Sequence, residues 1–212
     1  MRVKKVKVSL SSAYRLIHPE HVVLVSCMGK RGKTNIITLA WSMPTSIHPP
    51  MLAISVSPKR LSHKMIAGTK EFVVNVPTMD IVKETLFCGR RSGRRLDKFK
   101  ETGLTPLKAK TVKPLIIKEC VAHLECKLRQ QVTTGDHTIF VGEIRAAYVN
   151  EGVFDGIYNL KKVKPIYHMG GDSFTTLTPK VTIPKLLRLK TPKICTIRQV
   201  STQQPLPLAF SP

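Results

Sequence analysis

An all-β chain with a few short helices, closed into an antiparallel barrel, is the fold class this sequence predicts. Three observations carry the prediction. Apolar runs of strand length recur along the chain. They follow one another without regular helical crossovers, which argues against a doubly wound sheet. The second half holds one well-marked hairpin.

Val22–Met28 is the first continuous apolar run, bounded by His18-Pro19 before it and Gly29–Gly32 after it. Met51–Val56 and Phe72–Val76 read the same way. Between them, Ser62–Ala67 fits a short helix after the Ser57-Pro58 turn, with Gly68 closing it. Asp80 is placed to N-cap a helix reaching about Phe87, and Leu96–Glu101 fits one further turn or two. Cys120–Gln130 alternates as a half-buried strand. Cys120, Ala122, Leu124, Cys126 and Leu128 share one face, and His123, Glu125, Lys127 and Arg129 share the other. Gly135-Asp136 then turns the chain into a partner strand, His137–Tyr148. From Pro179 onward five further prolines interrupt any regular element. The division is therefore a domain over residues 1–179 and a basic, proline-containing strap or tail over residues 180–212.

The 212 residues carry 35 Lys and Arg against 13 Asp and Glu, a formal charge of +22. Residues 1–8 contribute four cations and residues 180–212 six, neither segment with an acid. Such charge attracts polyanions, so weak polyanion binding by the basic ends is expected. A nucleic-acid-binding barrel is the reading of a different class, but aromatics are only 6% of the chain and do not interleave with Lys and Arg. No apolar run reaches the length of a membrane span. Lys4, Lys5 and Lys7 interrupt the stretch where a signal peptide needs its apolar segment, so a cytoplasmic location is expected. Five cysteines make neither a disulfide framework nor a metal set: along one strand, Cys120 and Cys126 would stand about 20 Å apart.

Gly32-Lys33-Thr34 follows a strand, yet Cys27 occupies the position where a phosphate-binding P-loop needs its first glycine. No carboxylate pair or hydrolytic triad can be assembled from the spacing. What recurs is hydroxyls beside cations in loops: Ser55, Ser57, Lys59, Arg60, Ser62 and His63 in one passage, Ser92, Arg94, Arg95 and Lys98 in another. Hydroxyl donors, a bidentate guanidinium and a point-charge ammonium together suit a phosphate dianion, and each cluster by itself also suits a solvated basic loop.

Several segments in order resemble the flavin reductase-like, FMN-binding split-barrel family, most of all its flavoredoxin and ferric reductase branch. They are Asn35–Trp41 with Met43–Ser46 and Pro49–Met51, Ile54–Arg60, Glu71–Pro77, Cys88–Gly93 with Asp97–Phe99, Gly135–His137 before Phe140–Glu143, and Pro165–Gly171. The resemblance implies a Greek-key barrel of about six strands. It also implies an FMN cofactor, NADH or NADPH as electron donor, and a homodimer with its flavin sites at the interface. It implies a flavin loop over Asn35–Ser42, with Thr38 giving a hydroxyl, Ala40 permitting close approach, and Trp41 packing near the ring or at the dimer contact. Ser57, Arg60 and His63, joined by Lys98, are expected around the phosphate, with Ser55, Gly89 and Ser92 completing the cofactor set and Asn75 beside it at a strand end. His137 and His168 are the candidate catalytic residues. Activity as a flavin or ferric reductase is expected, and an electron carrier without nicotinamide activity is the near alternative. Cys88, beside Gly89, Arg90 and Arg91, reads as a buried packing thiol or a redox group.

Overall fold

The computed structural model describes residues 3–178. The strap expected over 180–212 therefore lies outside the described residues. In chain order the strands are β1 (Glu20–His21), β2 (Val23–Met28), β3 (Thr34–Leu39), β4 (Ser42–Ser46), β5 (Met51–Val56), β6 (Glu71–Val76), β7 (Pro106–Leu107), β8 (Ile116–Ile117), β9 (Ala122–Thr134), β10 (His137–Val149), β11 (Phe154–Asp155), β12 (Ile157–Tyr158), β13 (Tyr167–Gly170) and β14 (Ser173–Thr175). Helices α1 (Leu61–Thr69), α2 (Val82–Arg90) and α3 (Lys98–Thr102) stand between them, and a 3-10 helix spans Leu10–Ile17.

Seven strands form one antiparallel sheet in the order β3-β2-β6-β9-β10-β5-β4, against the six expected. Its two edge strands, β3 and β4, are consecutive in sequence and joined only by Ala40 and Trp41. A flat sheet would hold its edges some 30 Å apart at ~4.8 Å per strand, so the sheet has to roll up to bring them together. The Ser55 amide donates to the Trp41 carbonyl at 3.0 Å, which extends the β4–β5 pairing into that two-residue link. Strands β1, β13 and β14 form a small separate sheet beside it.

Inside the roll pack Val23, Val25, Ile37, Ile54, Phe72, Val74, Cys126 and Phe140, contributed by alternate positions of their strands. The continuous apolar run of β2 has a reason: its other face is buried too. Leu24 joins Ile36, Cys88, Phe99 and Ile117 in a second cluster beneath α2 and α3. Gly142 lies where β10 bulges, and a Cβ there would stand 2.6 Å from the Phe72 ring and 2.9 Å from Cys126 Cβ. Gly142→Ala is expected to lower stability by about 2 kcal/mol through overpacking, read as a fall in the urea midpoint.

Several expected boundaries move. Helix α1 runs through Gly68 and stops at Lys70, a left-handed residue at φ 61°. Asp80 does not cap α2. It accepts from the Thr78 hydroxyl at 2.9 Å within a 3-10 turn, and the helix starts at Val82. Helix α2 continues past Phe87 to Arg90, which carries Gly89 and Arg90 along its last turn. Asp97 caps α3 through the Phe99 and Lys100 amides. Cys120 lies before β9, not within it.

Candidate flavin site

Two adjoining chambers open at the barrel seam. The larger, about 350 Å³, is bounded on one side by the rolled sheet through Ile37, Thr38, Leu39, Ala40, Ser55 and Ser57. Its other side comes from the small sheet and the 3-10 helix, through Tyr14, Arg15, His18, His168 and Phe174. Thr85, Gly89 and Arg90 of α2 close one end. The smaller chamber, about 90 Å³, is lined by Asn35, Lys59, Arg60, Ser62, Gly89 to Arg94 and Lys98. Both are lined by Ile37, Arg60, Gly89 and Arg90.

The local sequence explains these placements. Arg60 stands one residue ahead of α1, its amide bonded to the Ser57 carbonyl at 3.0 Å, so the turn that starts the helix also holds Arg60 between the chambers. Gly89 lets α2 approach β3: a Cβ there would meet Thr38 Cβ at 3.3 Å. Thr38 uses its hydroxyl to bond the Thr85 carbonyl at 2.6 Å, which locks α2 to the same strand. Lys98 is buried, and its ammonium donates to the Ile36 carbonyl at 2.6 Å and the Cys88 carbonyl at 2.5 Å. Burial pushes its pKa down, and the nearby Arg60 adds to that. The cations here are not neutralised internally. Among the described residues, none of Lys59, Arg60, Arg91, Arg94 and Lys98 has a carboxylate within ion-pairing distance. Arg90 does, clasping Asp172 and the Gly171 carbonyl.

The predicted residues divide. Thr38, Ala40, Trp41, Ser55, Ser57, Arg60, Gly89, His137 and His168 line the larger chamber, and Asn35, Arg60, Gly89, Ser92 and Lys98 the smaller. Trp41 is 39% exposed, so it is not a core tryptophan; its ring packs against Tyr14 and, at 4.9 Å, His137. His137 is itself bonded to Asp136 at 2.7 Å, and that hydrogen bond holds the Asp136 carboxyl below its usual range. His168 bonds the Gly171 carbonyl at 3.1 Å.

Three expectations need correction. Asn75 is fully buried and lines neither chamber. Its amide is consumed by Leu24, Ser26, Ile117 and His123, so it organises the barrel wall. His63 also lines neither. It turns to the Thr138 hydroxyl at 2.9 Å and packs on Phe140, and burial pushes its pKa down. Ser42 faces a separate apolar groove with Met43, Ala53 and Ile139. In each case period-two alternation or one helical turn aims the side chain away from the chambers. Cys88 is fully buried, its thiol pushed up to about 11 by burial, which makes it a packing thiol.

Sequence reasoning missed Tyr14, Arg15, His18, Thr85 and Phe174. They lie far from the loop clusters in sequence, and none sits in a pattern that marks a ligand. Arg90 was visible as part of the Cys88–Gly93 segment, but its place in both chambers depends on α2 running three residues longer than expected.

FMN can be tested against this geometry. Its phosphate needs donors and positive charge, which the smaller chamber supplies, Arg90 being the one of its cations that a carboxylate engages among the described residues. Its ring system needs a chamber of a few hundred Å³ with scattered polar groups. The Thr85 hydroxyl, buried on the larger chamber, and the Asn35 carboxamide oxygen, buried on the smaller, have no partner within the protein. The residues fit the cofactor.

A family model described as the flavin reductase like domain matches residues 14–171. The chain belongs to this family. An uncharacterized protein of Archaeoglobus fulgidus is 37% identical over 144 residues, covering 68% of this chain and 81% of that one. Among solved structures, the flavoredoxin of Methanosarcina acetivorans superposes with a TM-score of 0.77 at 30% identity, covering 90% of this chain and 98% of its own. The flavoredoxin of Desulfovibrio vulgaris gives 0.76 at 25% identity, over 86% and 99%. Family membership accounts for the rolled sheet: the fold is the Greek-key split β-barrel of flavin reductase like proteins, with FMN the cofactor its chambers fit.

Proposed function

We propose that the chain is an FMN-dependent oxidoreductase that accepts electrons from NADH or NADPH and passes them on as a flavin or ferric reductase. One observation carries the reading: an uncompensated cationic chamber adjoins a larger chamber of ring-binding size, and Arg60 belongs to both. Arg60, Ser92 and Lys98 hold the phosphate. Thr38, Ala40, Trp41, Ser55 and Ser57 border the ring. The chemistry that FMN supplies when bound is hydride acceptance from a nicotinamide and onward electron delivery. The protein contributes position, hydrogen bonds and access, so no carboxylate acid or base is needed in the chamber. His137 and His168 stand at the chamber wall as the groups able to move a proton or orient the second substrate.

The membrane plays no part in this reading, and no helix among the described residues is long and apolar enough to cross one. A cytoplasmic location agrees with four buried, unpaired cysteines among the described residues. A homodimer agrees with the apolar groove beside Trp41, Met43 and Ile17 at the seam, a surface that a second copy would cover.

Rapid mixing of the FMN-loaded protein with NADH or NADPH tests the reading. Bleaching of the flavin's long-wavelength band by either nucleotide is the expected result. Failure with both leaves an electron carrier without nicotinamide activity, the reading favoured by the likeness to flavoredoxins.

A further inference from the structure

Cations gather around the smaller chamber in greater number than one phosphate uses, and three turns supply them. The β2–β3 turn carries Lys30, Arg31 and Lys33. It is closed by the Gly29 amide on the Lys33 carbonyl at 2.8 Å and the Gly32 amide on the Gly29 carbonyl at 2.9 Å. The turn before α1 carries Lys59 and Arg60. The passage between α2 and α3 carries Arg91, Arg94 and Arg95, with the Arg95 amide on the Ser92 carbonyl at 3.1 Å. All eight residues are exposed, and none has a carboxylate within ion-pairing distance among the described residues. The sequence makes these stretches one-signed: no Asp or Glu occurs between Glu20 and Glu71, or between Glu84 and Asp97. The Asp97 carboxylate is occupied in capping α3, where it accepts from the Phe99 and Lys100 amides.

The three turns converge on one face. Arg94 donates to the Lys59 carbonyl at 3.0 Å, which ties the third turn to the second. With Lys33, Thr34 and Arg95 it also lines a cavity of about 410 Å³, which brings the first turn to the third. Lys59 and Arg94 line the smaller chamber as well, so the face is continuous with the rim of the phosphate site. Arg60 and Lys98 already answer a phosphate dianion there, and the remaining charge is surplus to the cofactor. Like charges held on closed turns disfavour the compact state, and an anionic surface seated over them offsets that cost. Among the described residues no aromatic side chain lines either cavity, so the face lacks a platform for bases to stack on. Protein carboxylates are the anions it suits.

We propose that this face docks an acidic one-electron carrier protein, which draws its electrons from the reduced cofactor in the chamber it covers. The inference rests on the FMN reading and names the class of partner that consumes the electrons. Two electrons leave the reduced cofactor, one to each of two oxidised carriers docked in turn, and its two protons pass to solvent. Cations fixed around the site raise the encounter rate of an anionic partner and suppress that of a cationic one.

Two forms of one acceptor test the proposal: cytochrome c with its lysines succinylated, which is acidic, and native cytochrome c, which is basic. Full-length, FMN-loaded protein is reduced anaerobically with stoichiometric dithionite and mixed rapidly with each, so the result does not depend on nicotinamide activity. The succinylated form should be reduced about tenfold faster at low salt, and its advantage should fade by about 0.5 M salt as the charges are screened. Lys33→Glu combined with Arg95→Glu should slow the succinylated form about tenfold at low salt, with FMN affinity within about twofold of wild type. The same two reversals at Lys161 and Lys162, which line neither cavity, should slow it by less than about threefold. Equal losses for the two pairs of variants overturn the inference, because overall charge would then set the rate. The same salt dependence for both cytochromes also overturns it. Binding of a single-stranded or duplex oligonucleotide at about 0.15 M salt, abolished by the Lys33 and Arg95 reversals, overturns it in favour of nucleic acid. Wild-type protein that binds no FMN would instead remove the flavin reading, and this inference with it.

Discussion

Arg60→Ala is expected to weaken FMN binding about 30- to 100-fold while leaving riboflavin binding within about twofold. Arg60 and Arg90 are the cations common to both chambers, and of the two Arg60 has no carboxylate partner among the described residues to occupy its guanidinium. A charge-assisted hydrogen bond to phosphate contributes roughly 2–3 kcal/mol, and every 1.4 kcal/mol is tenfold in affinity. Riboflavin has the same ring and no phosphate, so it separates loss of the phosphate contact from collapse of the chamber. Fluorescence titration with the two flavins gives both numbers. Equal losses for FMN and riboflavin would mean that Arg60 supports the turn before α1 and not the phosphate.

The largest effect on stability is expected at Glu125. Its carboxylate is fully buried on β9 and accepts four hydrogen bonds: the Lys110 amide at 2.8 Å, the Thr111 amide at 2.6 Å, the Thr111 hydroxyl at 2.5 Å and the Tyr148 hydroxyl at 3.0 Å. Glu125→Ala leaves those donors without an acceptor and is expected to lower stability at pH 7 by about 3–4 kcal/mol. For a chain of this size that is a fall of roughly 10 °C in Tm. Burial by itself would raise the carboxyl's pKa, but the donors outweigh it and hold the folded-state value below the ordinary one. The sign follows. Because the unfolded chain takes up the proton first, this contribution is complete above the usual carboxylate range. It disappears as pH falls through the lower folded value. The gap between wild type and Glu125→Ala in urea titrations should therefore narrow below about pH 4. A gap of the same size at pH 3 and pH 7 would mean that packing, and not the charge, sets the loss.

Glu125 also marks where the sequence stopped being legible. The alternation along β9 put His123 and Glu125 on a solvent face, and both are buried. The segment between α3 and β9 lies across that face, held by backbone amides that donate to Glu125 from Lys110 and Thr111, to Glu71 from Lys113 and to Glu119 from Thr105. Which stretch covers a sheet is a tertiary fact, and no local periodicity records it. Strand β2, buried on both faces, was readable almost to the residue, since burial on either side leaves the same mark. The site followed the same rule. Loop clusters around Arg60 and Lys98 were visible because hydroxyls and cations crowd together in sequence. His63, a member of the first cluster, and Asn75, farther along the chain, carry suitable chemistry, but their direction is set by helical turn and strand pleat. Thr85 carried no sequence signal, because what distinguishes it is the partner it lacks.

Lys98 gives the smaller chamber a property that surface lysines cannot provide. Its ammonium is pegged between the carbonyls of Ile36 and Cys88, so one charge braces β3 against α2. Those dipoles solvate the charge without cancelling it, and Arg60 nearby makes the confinement less favourable still. A dianion arriving there relieves a repulsion that the fold sustains by itself. Occupancy of the chamber and cohesion of the barrel are thus two readings of a single electrostatic balance, with cofactor retention and resistance to unfolding rising together.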